Sequence, residues 1–278
     1  MRAASKGENC MNHQNPLRML FRIRREVPPR LYNSIMVVTF LMLIALWYVG
    51  SNFSGINPIF LPTPQATFSY LFKIMKSGTL WNDVAISCYR VFMGFLIAVA
   101  IGVPLGLLSG AYKLVNAVLK PLIEFFRYLP VSALIPLIMV WTGVGEKAKI
   151  TIIVIGAVFS MTAMITDIVK NIQIDLINTA YTLGASQGQV IRSVIIPAIM
   201  PNVMDTMRMV MGWAWTYLIM AEMLASSSGL GYSIMIAERF MKTYVIFSGI
   251  FVIGLLGLLF DRLFAYINKL LFHWAEDV

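Results

Sequence analysis

Charged side chains are scarce in this chain. They make up 13% of its 278 residues, against 59% hydrophobic, whereas soluble domains carry about 25% charged and about 45–50% apolar residues. So little charge cannot cover the surface of a soluble fold this long. That excludes a soluble enzyme, a disordered chain and a disulfide-rich module, and the mean hydropathy of +0.77 agrees. Cysteine is nearly absent. Cys10 lies in the N-terminal tail and Cys88 opens an apolar run; they are expected on opposite faces of a membrane, with no disulfide between them. Histidine occurs only at 13 and 273, and no His/Cys/carboxylate cluster has metal-ligand spacing, so no metal site is expected. A G-x-x-x-x-G-K-[ST] loop is missing too, since the nearest fragment, Gly143-Val-Gly-Glu-Lys147, is too short. The chain is therefore expected to bind no cofactor and to perform no ATP chemistry of its own. The net charge of +9 fits cytoplasmic flanks better than a nucleic-acid surface.

What is present is apolar sequence in long blocks. A spanning helix needs about 20 such residues, and the blocks place six spans at roughly 32–50, 84–109, 121–142, 149–168, 199–224 and 245–271. The fold expected is an all-α polytopic membrane protein. Its organisation is a basic cytoplasmic segment at 1–31, one transmembrane domain at 32–271 and a short tail at 272–278. Pro121, Pro130 and Pro136 interrupt the third span. Lys and Arg counts orient the chain: with the N-terminus inside, inner segments hold 13, including Lys113, Lys120 and Arg127, and outer segments hold 6. Both termini are thus expected in the cytoplasm. The basic stretch Arg18 to Arg30 precedes an uncleaved first span, because no A-x-A-like site follows it.

Two connecting segments carry patterns of their own. In 51–83, Phe68, Leu71, Phe72 and Met75 recur at helical spacing after Leu61-Pro-Thr-Pro64, which predicts a short amphipathic helix on the membrane surface. The inner segment 169–198 is polar and predicts a short helix, a bend at Gly184 and a second helix ending near Pro197.

That inner loop resembles the E-A-A-x3-G-x9-I-x-L-P signature of bacterial ABC importer permeases. Ala180, Gly184 and Pro197 match, Val194 and Ile196 hold the aliphatic positions, and Asn178 and Thr179 stand where the pattern has Glu and Ala. From Pro58 onward the chain is similar to the nitrate/sulfonate/taurine/bicarbonate branch. The matching segments are Leu61-Pro-Thr-Pro64, Ser87-x-x-Arg90-Val-x-x-Gly94-Phe, Gly102-Val-Pro-Leu-Gly106, Leu129-Pro130, Gly143-x-Gly-Glu-x-x-Lys149, Arg208, Trp215, Ala221-Glu-Met223 and Gly229-Leu-Gly231. The resemblance implies an importer's translocation subunit in a bacterial inner membrane. Its implied partners are two ATPase subunits that use ATP and magnesium, a second permease copy and a soluble binding protein. The implied cargo is a small oxyanion or sulfonate: nitrate, taurine, an alkanesulfonate or bicarbonate. Related permeases carry thiamine-precursor pyrimidines. The ATPase-coupling loop it implies comprises Asn178, Thr179, Ala180, Gly184, Ala185 and Pro197. A gradient-driven secondary transporter is the rival class; no internal repeat or matched pair of interrupted helices supports it.

Within the spans, Asp205, Arg208, Gly212, Trp215, Ile219 and Glu222 follow at intervals of 3 or 4 and share one helix face. Lipid contact would cost roughly 2.5–3.5 kcal/mol per charge at the bilayer centre. Arg208, Gly212, Trp215 and Glu222 are accordingly candidates for the translocation path. The competing reading is an Asp205–Arg208 pair and a Glu222 reaching the outer interface. Ser87 and Arg90 are structural or path residues, with Arg90 expected to pair with Asp83, snorkel or attract an anion. Gly94, Ala98, Gly102, Gly106 and Gly110 recur every four residues, a spacing that lets another helix approach closely. Trp141, Trp213 and Tyr217 are further candidates to border the path.

Overall fold

A computed structural model describes residues 28–273. The basic segment before residue 28, with Cys10 and His13, lies outside the described residues, as does the tail after His273. The described residues contain helices and no strands. They divide into two compact units, parted between Asn57 and Pro58. The first contributes one apolar helix, α1 (Pro29–Phe53), started by proline at its first position, where a missing N–H costs nothing.

The second unit is a helical bundle. Its elements are α2 (Pro64–Lys76), α3 (Thr79–Ala111), α4 (Lys113–Arg127), α5 (Val131–Thr142), α6 (Glu146–Lys170), α7 (Ile174–Thr182), α8 (Gln187–Ala225), α9 (Leu230–Arg239) and α10 (Thr243–Leu271). Among the described residues, five helices are long and apolar enough to cross a membrane, and α4 with α5 supplies a sixth crossing bent by 101°. The third span therefore begins earlier than expected, at Lys113, and is broken. Pro121 and Pro136 are carried inside α4 and α5, and only Pro130 breaks the path, as the extended residue before α5. A residue before proline is driven out of the helical region, so Leu129 and Pro130 together form the elbow. Lys113, Lys120 and Arg127, expected in an inner connection, instead lie on α4.

The bundle is built around α6. The small residues of α3 meet it in register: a Cβ on Gly94 would fall 2.7 Å from Ile153 Cβ, and one on Gly106 would fall 2.5 Å from Ile165 Cβ. The glycine stripe is thus a helix-packing surface, and α3 and α6 run parallel. On another side of α6, α8 runs antiparallel, with Tyr217 against Gly156 and Ala221 clustered with Ile152. In turn α10 lies antiparallel to α8, with Phe260 beside Trp215. One end of the bundle therefore gathers Lys113, Lys170 and α7, while the opposite end gathers α2, the start of α6 and α9.

The amphipathic helix expected at the surface is present as α2, but it is docked. Thr63 caps it by accepting from Ala66 N–H, Thr67 and Leu71 are buried, and Phe68 meets Phe251 edge-on at 5.3 Å. Ser248 Oγ donates to Thr67 O at 2.9 Å. The Phe72 side of the helix faces outward.

Candidate functional site

At the end of the bundle that gathers Lys113 and Lys170, α7 and the start of α8 form the loop that resembles the coupling signature. Gly184 adopts φ +84°. Ala185 N–H donates to Ala180 O at 3.0 Å and Gly184 N–H to Tyr181 O at 2.9 Å, the paired bonds that close a helix on a left-handed residue. Glycine is there for its backbone conformation, since a Cβ added at this position would meet nothing within 4 Å. Ala180 and Ala185 turn toward the core, while Asn178 and Thr179 are exposed or nearly so. Next comes a capping box, with Gln189 Oε1 accepting from Ser186 N–H at 2.8 Å. The helix expected to stop near Pro197 does not stop. It runs unbroken from Gln187 to Ala225, and a π-helical turn at Ile191–Ile195 precedes the proline. The wider turn accommodates the carbonyl that the ring would otherwise strike and the donor it lacks.

At the opposite end a charge cluster joins four elements. Arg90 of α3 is 1% exposed and Glu222 of α8 is fully enclosed. Arg90 Nε and Nη2 each donate to Glu146 at 2.6 Å. Nη1 donates to Glu222 Oε1 at 2.7 Å and to Ser228 O at 2.8 Å, and Nη2 also reaches Ser228 Oγ at 3.2 Å. All five guanidinium hydrogens are thereby used. Glu222 further accepts from Ser87 Oγ and from Gly231 N–H, each at 2.8 Å, while Lys149 Nζ donates to Glu146 at 2.9 Å. Two cations face two carboxylates, so the cluster is neutral, as burial requires. Glycine is obligatory over it: Gly229 has φ +108°, and a Cβ there would sit 2.6 Å from Glu222 Cδ.

Several expectations change accordingly. Arg90 pairs with Glu146 and Glu222; Asp83 instead accepts from Gly229 N–H and Ser233 Oγ. Glu222 does not reach the interface. Arg208 pairs in two-pronged fashion with Asp261 of α10, while Asp205 accepts from Asn268 at 3.1 Å, so the expected Asp205–Arg208 pair is absent. The six-residue stripe does not present one face to one neighbour. Trp215 is buried against α10, Gly212 is exposed with open space where a Cβ would stand, and Glu222 is locked in the charge cluster. Periodicity along α8 alone supplies no partner for Arg208, because Asp261 lies 53 residues away in sequence. Glu146 and Lys149 are visible in sequence only as motif letters.

A second group of polar residues escapes a reading by apolar blocks. Lys113, Lys120, Glu124 and Arg127 fall within about 60° of one another around α4 at 100° per residue. Their signal is periodicity, and it is hidden when α4 is counted as a connection. Beside Arg127 the elbow borders a cavity of about 310 Å³, whose walls include Tyr128, Pro130, Gly156, Phe159 and Tyr217. Trp141 is largely exposed beyond it, and Trp213 is partly so.

Residues 102–273 match the family model described as binding-protein-dependent transport system inner membrane component. The chain belongs to that family. It is 40% identical over 225 residues to a Methanocaldococcus jannaschii protein named as a putative ABC transporter permease, a match covering 79% of this chain and 84% of the relative. It is 32% identical over 272 residues to the taurine transport system permease protein of Escherichia coli, 96% of each. It is 33% identical over 236 residues to a Bacillus subtilis protein named as a putative aliphatic sulfonates transport permease, 85% of this chain and 86% of that one. In fold it resembles a chain of the MetNI methionine ABC transporter, with TM-score 0.60 and 21% identity, over 67% of this chain and 93% of that chain. The protein is thus a multi-pass permease subunit of an ABC importer, a transport protein whose family works with ATPase and binding-protein partners. In the permease the charge cluster binds α3, α6, α8 and the loop before α9 into one block. The exposed loop at the other end is joined to that block through α8.

Proposed function

We propose that this permease carries a small sulfonate or oxyanion delivered by a soluble binding protein: taurine, an alkanesulfonate, nitrate or bicarbonate. The observation that carries the reading is the similarity to a taurine permease along 96% of both chains. Two copies pair across a central path, and each inner loop seats in one ATPase subunit. Both termini face the cytoplasm, in keeping with the seven Lys and Arg gathered in residues 1–31. ATP and magnesium act in the ATPases, and this chain binds no cofactor.

The mechanism follows from the two rigid ends. ATP-driven closure of the ATPases moves Asn178, Thr179 and the Gly184 turn. That motion passes along the continuous α8 to Glu222 and hence to Arg90 and Glu146. Displacing α8 rotates the whole outer block, because a packed and neutralised cluster moves as a body. The path then alternates between outward and inward access. The test is uptake of radiolabelled taurine, butanesulfonate, nitrate and bicarbonate into proteoliposomes holding the permease, its ATPases and its binding protein. ATP-dependent uptake of one of these is expected. Uptake of neutral pyrimidines alone, or uptake driven by an ion gradient without ATP, would contradict the reading.

A further inference from the structure

We propose that the elbow between α4 and α5 is an anion station on the translocation path, with Arg127 supplying its charge and Tyr128 its hydroxyl. The inference rests on the anion reading above and gives it a place in the fold. The first argument is depth. Asn116 accepts from Lys170 Nζ at the inner end of α6, and Phe126 stacks on Phe159 at 4.7 Å. So α4 climbs antiparallel along the inner half of α6. Phe159 stands eleven residues above Lys170, or about 16 Å at 1.5 Å per residue, which is mid-bilayer for a core about 30 Å thick. Lys113 and Lys120 lie lower and can snorkel; Arg127 lies seven residues farther along α4 than Lys120.

The second argument is neutralisation. Arg90, in the buried cluster at the opposite end, and the lower Arg208 both hold carboxylates at ion-pair distance. Among the described residues no carboxylate lies within 4 Å of Arg127; its contacts are the Tyr128 hydroxyl at 3.0 Å and the Tyr128 ring at 4.9 Å, and Asp167 and Glu124 act on it only from farther off. A cation whose nearest carboxylates stay beyond ion-pair distance is only partly neutralised, which is costly in lipid, so its exposed face meets water. The third argument is space. The neighbouring cavity of about 310 Å³ corresponds to some ten water volumes at ~30 Å³ each, room for a small anion and part of its hydration. Donors must replace the water such an ion sheds on crossing. Arg127 provides a planar set of them, and the Tyr128 hydroxyl, which accepts from Arg127, keeps a proton to donate.

The test uses the permease assembled with its ATPases in lipid nanodiscs, on a background lacking Cys10 and Cys88. Tyr128→Cys is labelled with an anionic sulfonate-bearing methanethiosulfonate and with its cationic trimethylammonium counterpart. The expected outcome is labelling at least tenfold faster than at Leu259→Cys, an exposed apolar control on α10, and an anion-over-cation preference that falls at least fivefold when Arg127→Gln is added. Labelling as slow as the control, or a preference unchanged by Arg127→Gln, overturns the proposal. A second arm measures uptake at equal assembly: Arg127→Lys retains it and Arg127→Gln lowers it at least tenfold. Undiminished sulfonate or oxyanion uptake in Arg127→Gln refutes the station and leaves the functional reading intact. Labelling as expected in a permease that carries none of those anions refutes the functional reading and leaves an electropositive, wet elbow.

Discussion

The decisive residue in the described bundle is Arg90, because three chain segments depend on its five donors. Glu222 is enclosed and Glu146 is about half exposed, so their removal should differ in cost. Glu222→Ala leaves Ser87, Gly231 N–H and part of Arg90 without partners, and breaking a buried pair costs about 3–5 kcal/mol. Glu146→Gln keeps an acceptor at the water-exposed side but leaves the buried Arg90 and Lys149 facing one carboxylate, so its cost should be smaller than that of Glu222→Ala yet above that of a surface pair. Thermal unfolding of the detergent-purified permease, followed by fluorescence-detected gel filtration, should rank the two variants in that order. Equal losses would mean that Glu146 neutralises Arg90 as much as Glu222 does. The motif letters make Ser87, Arg90 and Glu222 visible as special. They do not assign the partners, because pairs separated by 132 and 56 residues exist only once three helices share an end.

At the scale of elements, two kinds of glycine behave differently. Gly106 is a contact glycine: a Cβ there would meet Ile165 and the carbonyl of Thr162. Gly106→Val should force α3 from α6 and destabilise the permease by about 1–3 kcal/mol, whereas Gly257→Ala, with open space around it, should be neutral or stabilising by up to about 1 kcal/mol. The same thermal assay separates them. Gly184 is a conformational glycine. At φ +84° a β-branched residue is strained by roughly 1–2 kcal/mol, while asparagine visits that region more readily. Gly184→Val should therefore lower transport without lowering the basal ATPase rate of the assembled complex, and Gly184→Asn should keep more of it. Normal transport by Gly184→Val would remove this turn from the coupling pathway. Element boundaries are legible where apolar blocks run uninterrupted, as in α3, α6 and α10. They are misjudged where proline is read as a stop: a π-helical turn absorbs Pro197, and Pro121 sits inside α4. Backbone groups freed by proline find partners in a packed bundle, and no local rule foresees that.

For the whole molecule, the parallel pair α3 and α6 places the 169–198 loop and the end of α10 at one end of the bundle and the 226–242 segment at the other. If that first end is cytoplasmic, Ser186→Cys should resist an impermeant maleimide in intact cells and react in inverted vesicles, and Phe60→Cys should do the reverse. Labelling of Ser186→Cys from outside would invert the topology. The same placement makes α4 and α5 a single bent crossing, since parallel α3 and α6 require the chain between them to return.

Composition alone determined that this chain lives in a bilayer, because 13% charged residues are too few to cover a soluble fold of this length. Periodicity determined the glycine face of α3, and ordered motifs determined the kind of transporter. Which charges neutralise one another was decided only by tertiary structure. Coulomb attraction depends on distance in space, and folding brings Arg208 to Asp261 and Arg90 to Glu222 while leaving Arg127 outside ion-pair distance of every described carboxylate. The place of Arg127 beside α6 was decided in the same way, since only the stacking of Phe126 on Phe159 shows how far α4 climbs along that helix.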